Sequence, residues 1–336
     1  MKSHNEKSLF SVSGTDETYK RFQNDISSLS KHKSYLEKMF RWYYPQFADS
    51  DFCASIAYSF HPSFWEMYLA YILIKHGHDI IPRKEQGKPY NGRPDICLKM
   101  NCGKVWIEAH APDAGAEIIK NEAEEKTTNP NRVPSPRDDS DEFDEIPNRE
   151  IILRYRHSLS TKLHKYEDYV NKSIVEKNQP FIIAVNGGNI PFSESDLYLN
   201  NNEIPLIVQA ILGVSNYTAF YDTILNNTVS EGVLHKRNVP KLMPDGSLKS
   251  ITTDIFESKK HSGISGVLFS AANVFHAYDR RGREFIYIHN HNANQKLPKG
   301  WLKFGREYWK KENMLYWKDA SHKRIYYVRI HSSSTD

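Results

Sequence analysis

The 336-residue sequence has few cysteines, no long apolar run and almost no net charge. It has only three cysteines, Cys53, Cys97 and Cys102. This small, odd number argues against a disulfide framework. No segment approaches the roughly 18 apolar residues of a membrane-spanning helix, and the N-terminal segment lacks the apolar core of a signal peptide. We therefore expect a soluble cytoplasmic protein with reduced thiols and no membrane partner.

The charge is nearly balanced, with 45 Lys and Arg against 41 Asp and Glu and a formal net charge of +4. This balance is not typical of a strongly basic protein that coats nucleic acid. Acidic residues concentrate between Asp113 and Glu150, so the rest of the chain is more basic than the total indicates. Any affinity for nucleic acid must come from a local patch.

The apolar pattern predicts helices first and strands later. Helical spacing runs from Asp16 to Tyr44, and 64–76 carries apolar residues on nearly every side before Gly77, which predicts a buried helix. Further helices are predicted at 149–172, 203–212 and 217–225. The predicted strands are 79–82, 94–100, 104–109, 180–185, 264–270, 285–289 and 325–330. A hairpin turn is expected at 101–103, between the second and third strands.

Two carboxylates are placed for metal chemistry, Asp95 in the segment RPDICL and Glu108 in VWIEAH. A tight hairpin brings the start of one strand beside the end of the next, so both acids can meet at one end of the sheet. Neighbouring carboxylates repel each other unless a cation lies between them, and oxygen ligands suit Mg²⁺ or Mn²⁺. A metal held there can polarise a phosphodiester and help to generate hydroxide from water.

The order of Glu66 on a helix, Pro94-Asp95, and Glu108-x-His110 resembles the PD-(D/E)xK, or restriction-endonuclease-like, nuclease superfamily. The resemblance covers roughly residues 64–185, under half of the chain. It implies an α/β core with a mixed central sheet flanked by helices.

The resemblance also implies roles for individual residues. Asp95 and Glu108 would be metal ligands, with the carbonyl of Ala109 as a possible third ligand. Glu66 matches the helical glutamate that assists metal binding in many members.

His110 departs from the family pattern, which has lysine two residues after the second acid. An ordinary histidine is mostly neutral at pH 7, so it does not replace a permanent cation. Three interpretations of His110 stay open: a catalytic substitute, a metal ligand, or a remnant at a site that has lost its activity. The following helix offers other cations, and we expect Lys162 to be the displaced one. The cations considered are Arg154, Arg156, Lys162 and Lys165.

The sequence contains neither an internal repeat nor a persuasive interdomain linker. We expect residues 1–60 to form an N-terminal helical segment, 61–190 the nuclease-like core, and 191–336 a C-terminal elaboration of the same domain. The segment 113–148 has almost no aliphatic residues, and we interpret it as a flexible acidic insertion.

The sequence therefore predicts a metal-dependent nuclease that hydrolyses phosphodiester bonds, with DNA as the expected substrate and Mg²⁺ or Mn²⁺ as the cofactor. The predicted catalytic residues are Asp95, Glu108, His110 and Lys162, and the predicted metal ligands are Asp95, Glu108 and Glu66. The alternative is a catalytically inactive nuclease-like module that binds nucleic acid or a protein partner. A homodimer is compatible with either hypothesis.

One further segment, Trp301 to Tyr327, is rich in both aromatic and basic residues. Such a stretch can stack bases and contact phosphates. Its aromatic side chains can equally pack the last strands onto the core, and we favour packing.

Overall fold

The computed structural model describes residues 7–24, 27–87, 92–101, 103–115, 131–135, 146–197, 203–222, 227–243, 245–322 and 324–332. Of residues 220–222 and 227–230, only the backbone is described. Cys102 and most of the predicted acidic insertion at 113–148 lie outside the described residues.

The described residues form a mixed α/β structure with seven α-helices. The helices are α1 Glu17–Asn24, α2 Ser30–Tyr43, α3 Phe52–Tyr58, α4 Phe60–Lys75, α5 Asn148–Asn171, α6 Leu206–Leu212 and α7 Val274–Arg280. Helix α4 is apolar around nearly its whole circumference, and most of its side chains are buried. The predictions of a helix at 64–76 and of a long helix at 149–172 are confirmed.

Eleven strands form one large mixed sheet, in the order β1-β2-β3-β4-β9-β10-β11-β12-β13-β6-β5. Its strands are β1 Asp79–Ile80, β2 Ile96–Met100, β3 Gly103–His110, β4 Phe181–Asn186, β5 Val214–Asp222, β6 Asn227–His235, β9 Gly266–Ser270, β10 Ile286–His289, β11 Arg306–Lys311, β12 Met314–Asp319 and β13 Ile325–His331. Strands β7 Asn238–Leu242 and β8 Leu248–Thr252 form a separate hairpin.

Helices cover both faces of the sheet at β2 and β3. Helices α1 to α4 pack in one hydrophobic cluster with Ile96 and Ile107, whereas α5 and α6 pack in a second cluster with Cys97 and Trp106. Neighbouring residues of a strand thus point into opposite clusters, as the alternation of a pleated strand requires. The mixed sheet flanked by helices that the sequence predicts is confirmed.

One predicted helix is wrong. Residues from Tyr217 to Asp222 belong to strand β5, which pairs antiparallel with β6, instead of the helix predicted at 217–225. The segment begins with Tyr217 and Thr218, whose aromatic and β-branched side chains favour extended structure. No helix in the described part of the chain is long and apolar enough to cross a membrane.

Candidate active site

Asp95 and Glu108 meet at one end of the sheet. Strands β2 and β3 pair antiparallel with Ile96 opposite Ile107, and continuing this register by one residue places Asp95 opposite Glu108. The Oδ2 atom of Asp95 accepts a hydrogen bond of 2.6 Å from the backbone amide of Ala109. The hairpin therefore brings together the two acids that the sequence singles out, which we call the carboxylate pair.

The carboxylate pair carries an electrostatic cost. Burial and the neighbouring charge of Glu108 raise the pKa of Asp95 to about 7. The hydrogen bond from Ala109 and the cations of Arg83 and Lys162 act in the opposite direction, but they do not offset the increase. The structure thus holds two carboxylates closer together than their own charges favour.

Glu66 approaches the same site from helix α4. Burial and the charge of Asp95 raise the pKa of Glu66 well above its usual range, and Arg83 partly offsets this effect. Arg83 donates a hydrogen bond of 2.9 Å to the carbonyl of Pro94 and pairs with Asp49 at 3.1 Å. Glu66 is therefore a partly buried acid beside the carboxylate pair, on the cluster formed by α1 to α4.

Helix α5 supplies cations to Glu108. The Nζ atom of Lys162 lies 2.7 Å from Oε1 of Glu108, and Nζ of Lys165 lies 3.2 Å from the same oxygen. The hydroxyl of Tyr169 donates a hydrogen bond of 2.8 Å to Oε2. Because the Glu108 side chain is only 3% exposed, these three groups replace most of the hydration that the carboxylate has lost.

The sequence predicts Lys162 near the carboxylates, but it does not predict the contacts that Lys165 and Tyr169 make with Glu108. Positions 162, 165 and 169 are spaced by three and four residues, so they share one face of a helix. That spacing indicates that the three side chains reach toward a common partner.

His110 is half-buried at the end of strand β3. It lies on the same face as Glu108 because the two residues are two positions apart in the strand. Burial and the cations of Lys162 and Arg154 lower the pKa of His110 to about 4. The imidazole is therefore neutral at pH 7, and it cannot supply the charge that a lysine would carry at this position. A neutral imidazole can still accept a proton or a hydrogen bond.

The loop that follows β3 is tied to helix α5. Arg154 donates hydrogen bonds to the backbone carbonyl of Asp113 at 2.5 Å and to its Oδ1 atom at 2.6 Å. The amide of Gly115 also donates to Oδ1 of Asp113. These contacts hold the end of β3 against the helix that carries Lys162.

The site offers only a small number of protein oxygens that could coordinate a divalent cation. Among the residues that the structure describes, no three His, Cys, Asp or Glu side chains form a ready-made group for a metal ion. The carboxylate pair nevertheless offers oxygen ligands, and burial together with the charge of Glu108 raises the pKa of Asp95, which a bound cation would oppose. The carbonyl of Ala109 points to the same side of β3 as its amide, which faces Asp95. Mg²⁺ usually keeps several waters and needs only one or two carboxylates.

The arrangement thus combines two acids, a partly buried lysine and a neutral imidazole at one end of the strands. Comparison of the chain with protein-family models, curated proteins and solved structures finds no match.

Proposed function

We propose that the protein is a metal-dependent nuclease that hydrolyses phosphodiester bonds of DNA at the site formed by Asp95 and Glu108. The observation that carries the proposal is the position of Lys162, whose amine lies 2.7 Å from the Glu108 carboxylate. Two acids and a cation are the groups that metal-assisted phosphodiester hydrolysis requires. The local order of α4, the β1–β3 meander, α5 and β4 is compatible with a restriction-endonuclease-like core.

Asp95, Glu108 and the carbonyl of Ala109 would hold Mg²⁺ or Mn²⁺, with Glu66 as an assisting acid. A metal bound there would polarise the phosphodiester and lower the pKa of a bound water. Glu108 is held in place by Tyr169 and Lys162, which fixes the direction of its oxygens.

Lys162 has two tasks in this proposal. It balances the charge of Glu108, and it places a positive charge where negative charge develops on the attacked phosphate. His110 stays neutral, and it accepts a hydrogen bond from the attacking water or donates one to it. The cation that the family pattern expects at position 110 thus comes from helix α5.

The test is incubation of the purified protein with linear, circular and single-stranded DNA and with RNA, in Mg²⁺, in Mn²⁺ or in EDTA. We expect DNA cleavage that requires metal and is lost in the double variant Asp95→Ala, Glu108→Ala. Circular dichroism of the variant shows whether it remains folded. Cleavage that survives in the folded variant would contradict the proposal.

The alternative of an inactive module that binds nucleic acid or a protein partner predicts a different result. No substrate would then be cleaved with either metal, and any binding would persist in EDTA. That outcome from folded wild-type protein would replace the nuclease proposal.

A further inference from the structure

The aromatic and basic segment 301–327 is divided between two faces of the sheet. Strands β11, β12 and β13 pair antiparallel, so alternate side chains point to opposite faces. Tyr308 and Trp317 point into the second hydrophobic cluster and are buried. The packing that the sequence favours therefore accounts for only one face.

The other face carries a row of aromatic side chains that crosses three strands. Trp309 pairs with Tyr316 across β11 and β12, and Tyr316 pairs with Tyr327 across β12 and β13. The ring centroids are 5.7 Å and 6.0 Å apart. Tyr327 is 67% exposed, and Trp309 and Tyr316 are half-buried. We call these three residues the aromatic row.

Cations surround the aromatic row. The register places Lys311 and Arg329 on one side of it and Lys318 on the other, all on the same face. The amine of Lys299 lies 4.9 Å from the centroid of the Trp309 ring. This combination favours a ligand with both flat apolar groups and negative charge.

Glu307, the acid of β11 on this face, is hydrogen-bonded within the fold. Glu307 is buried and pairs with His289 at 2.8 Å, and it also accepts hydrogen bonds from the amides of Gly300 and Leu302. Its carboxylate oxygens are therefore occupied by contacts within the fold and are shielded from a ligand at the surface.

A cavity of about 580 Å³ adjoins Trp309 at the end of the row. Lys296, Lys299 and Lys311 line it, and burial lowers the pKa of Lys299 to about 8. Lys310 also lines it but is paired with Glu257 at 2.8 Å. Three lysines beside an aromatic ring provide contacts for a phosphate next to a stacked base.

We propose that this outer face of β11–β13 binds single-stranded nucleic acid, with bases stacked on the aromatic row and phosphates on Lys311, Arg329 and Lys299. Stacking on aromatic side chains suits unpaired bases because duplex bases are already stacked on each other. A protein partner would need acidic and aromatic side chains at matching positions on its surface. A polynucleotide supplies a flat base and a negatively charged phosphate in every nucleotide.

The outer face is separate from the carboxylate pair. Four strand spacings of about 4.8 Å place β11 roughly 19 Å from β3. The aromatic row also lies on the opposite face of the sheet from Glu108 and helix α5. As a substrate class for the nuclease, single-stranded nucleic acid rests on the proposed function. Binding at this face can nevertheless be measured in EDTA, where no cleavage occurs.

The experiment is fluorescence anisotropy in EDTA, with a labelled 15-nucleotide thymidine strand, the matching uridine strand and a 15-base-pair duplex. We expect single strands to bind more tightly than the duplex. Tyr327→Ala should weaken single-strand binding at least tenfold, and the Lys311→Ala, Arg329→Ala double variant should reduce the salt dependence of binding. Tyr58→Ala is the matched control, because Tyr58 is 62% exposed on another surface.

Single-strand binding that is unchanged in folded Tyr327→Ala and in the double cation variant would overturn the inference. Sedimentation of the wild type and Tyr327→Ala tests whether a second copy of the chain occupies this face instead. If the wild type is a dimer, the variant is a monomer and strand affinity is unchanged, the face is a self-association surface. Asp95→Asn separates the two proposals, because it should abolish cleavage and leave strand binding in EDTA intact.

Discussion

The Nζ atom of Lys162 lies 2.7 Å from Oε1 of Glu108, so a cation from helix α5 reaches the carboxylate near the end of strand β3. The two residues are 54 positions apart in the sequence. Only the crossover from β3 through α5 to the parallel strand β4 brings them together. The pair is largely buried, and Lys162 therefore influences both the stability of the fold and the charge of the site.

Lys162→Ala should impair both properties. Removing the amine leaves Glu108 with Lys165 and Tyr169, and we expect a loss of about 1–3 kcal/mol in the free energy of unfolding. DNA cleavage should fall by about 100-fold or more, because a positive charge next to the developing phosphate charge is lost. Denaturant titration and single-turnover cleavage measure the two effects.

Lys165→Ala is the matched control for this prediction. Lys165 contacts the same oxygen of Glu108 at 3.2 Å, but its side chain is 48% exposed, so solvent screens the interaction. Its loss should change stability by less than about 1 kcal/mol. Equal losses of cleavage in the two variants would show that Lys162 has no special position.

Asp95→Asn should stabilise the metal-free protein above neutral pH. The pKa of Asp95 is about 7 in the folded chain against an ordinary 3.8, so the native state favours the protonated acid. Stability is therefore lost as the pH rises from about 4 through 7, by at most ~4 kcal/mol. Asparagine keeps an oxygen acceptor for the Ala109 amide but removes the charge.

Thermal unfolding in EDTA at pH 5 and pH 8 tests this prediction. The variant should melt at a higher temperature than the wild type at pH 8, and the difference should be clearly smaller at pH 5, where only part of the stability has been lost. Mg²⁺ should raise the melting temperature of the wild type at pH 8 and leave the variant unchanged. A variant less stable than the wild type at both pH values would contradict the raised pKa.

The proximity of Asp95 and Glu108 could be predicted because it is local. Both acids belong to one hairpin, and the alternation of β-strands together with a tight turn determines which residues face each other. The buried helix α4 could be predicted for a similar reason, since its apolar side chains surround the helix. The sequence pattern carries this information within about 20 residues.

The contacts of Tyr169 and the extended structure of residues 217–222 could not be predicted from local sequence, because both depend on distant segments of the chain. Tyr169 has the helical spacing to join Lys162, but its partner Glu108 lies across a long crossover. Residues 217–222 are extended because β6 pairs beside them, and β6 in turn pairs with β13, about 100 residues away. Tertiary pairing of this kind overrides local helical periodicity.

Tyr169→Phe should weaken metal binding without removing a ligand. Burial and Glu108 raise the pKa of Tyr169, so its hydroxyl remains protonated and donates to Oε2 of Glu108. Losing this donor should weaken Mn²⁺ binding about tenfold and destabilise the fold by ~1–2 kcal/mol. Calorimetric titration of Mn²⁺ measures the affinity.

Tyr166→Phe is the control for the hydroxyl of Tyr169. Both rings pack on Phe181, with centroid distances of 5.3 Å and 6.0 Å, but Glu108 accepts its hydrogen bond from Tyr169. Tyr166→Phe should leave Mn²⁺ affinity unchanged. Equal weakening by the two substitutions would mean that ring packing, not the hydrogen bond, orients Glu108.

His110 should not determine the pH dependence of cleavage near neutrality. Its pKa of about 4 keeps the imidazole neutral from pH 6 to pH 9. The wild type and His110→Gln should therefore have pH profiles of the same shape, with any loss of rate independent of pH. An inflection near pH 6.5 that disappears in His110→Gln would show that the histidine titrates in the active protein.

A lysine at position 110 should restore part of the activity lost in Lys162→Ala. Residue 110 lies on the same face of β3 as Glu108, and the charge of Lys162 already acts on His110. In the double variant His110→Lys, Lys162→Ala, the amine should occupy the region vacated by Lys162 and recover at least ~tenfold of the lost cleavage rate. His110→Gln, Lys162→Ala is the neutral control, and equal recovery there would exclude a replacement of charge. Single-turnover cleavage by the wild type, His110→Lys, Lys162→Ala and the His110→Lys, Lys162→Ala double variant completes a double-mutant cycle, in which recovery specific to lysine identifies the cation on α5 as the functional equivalent of one at position 110.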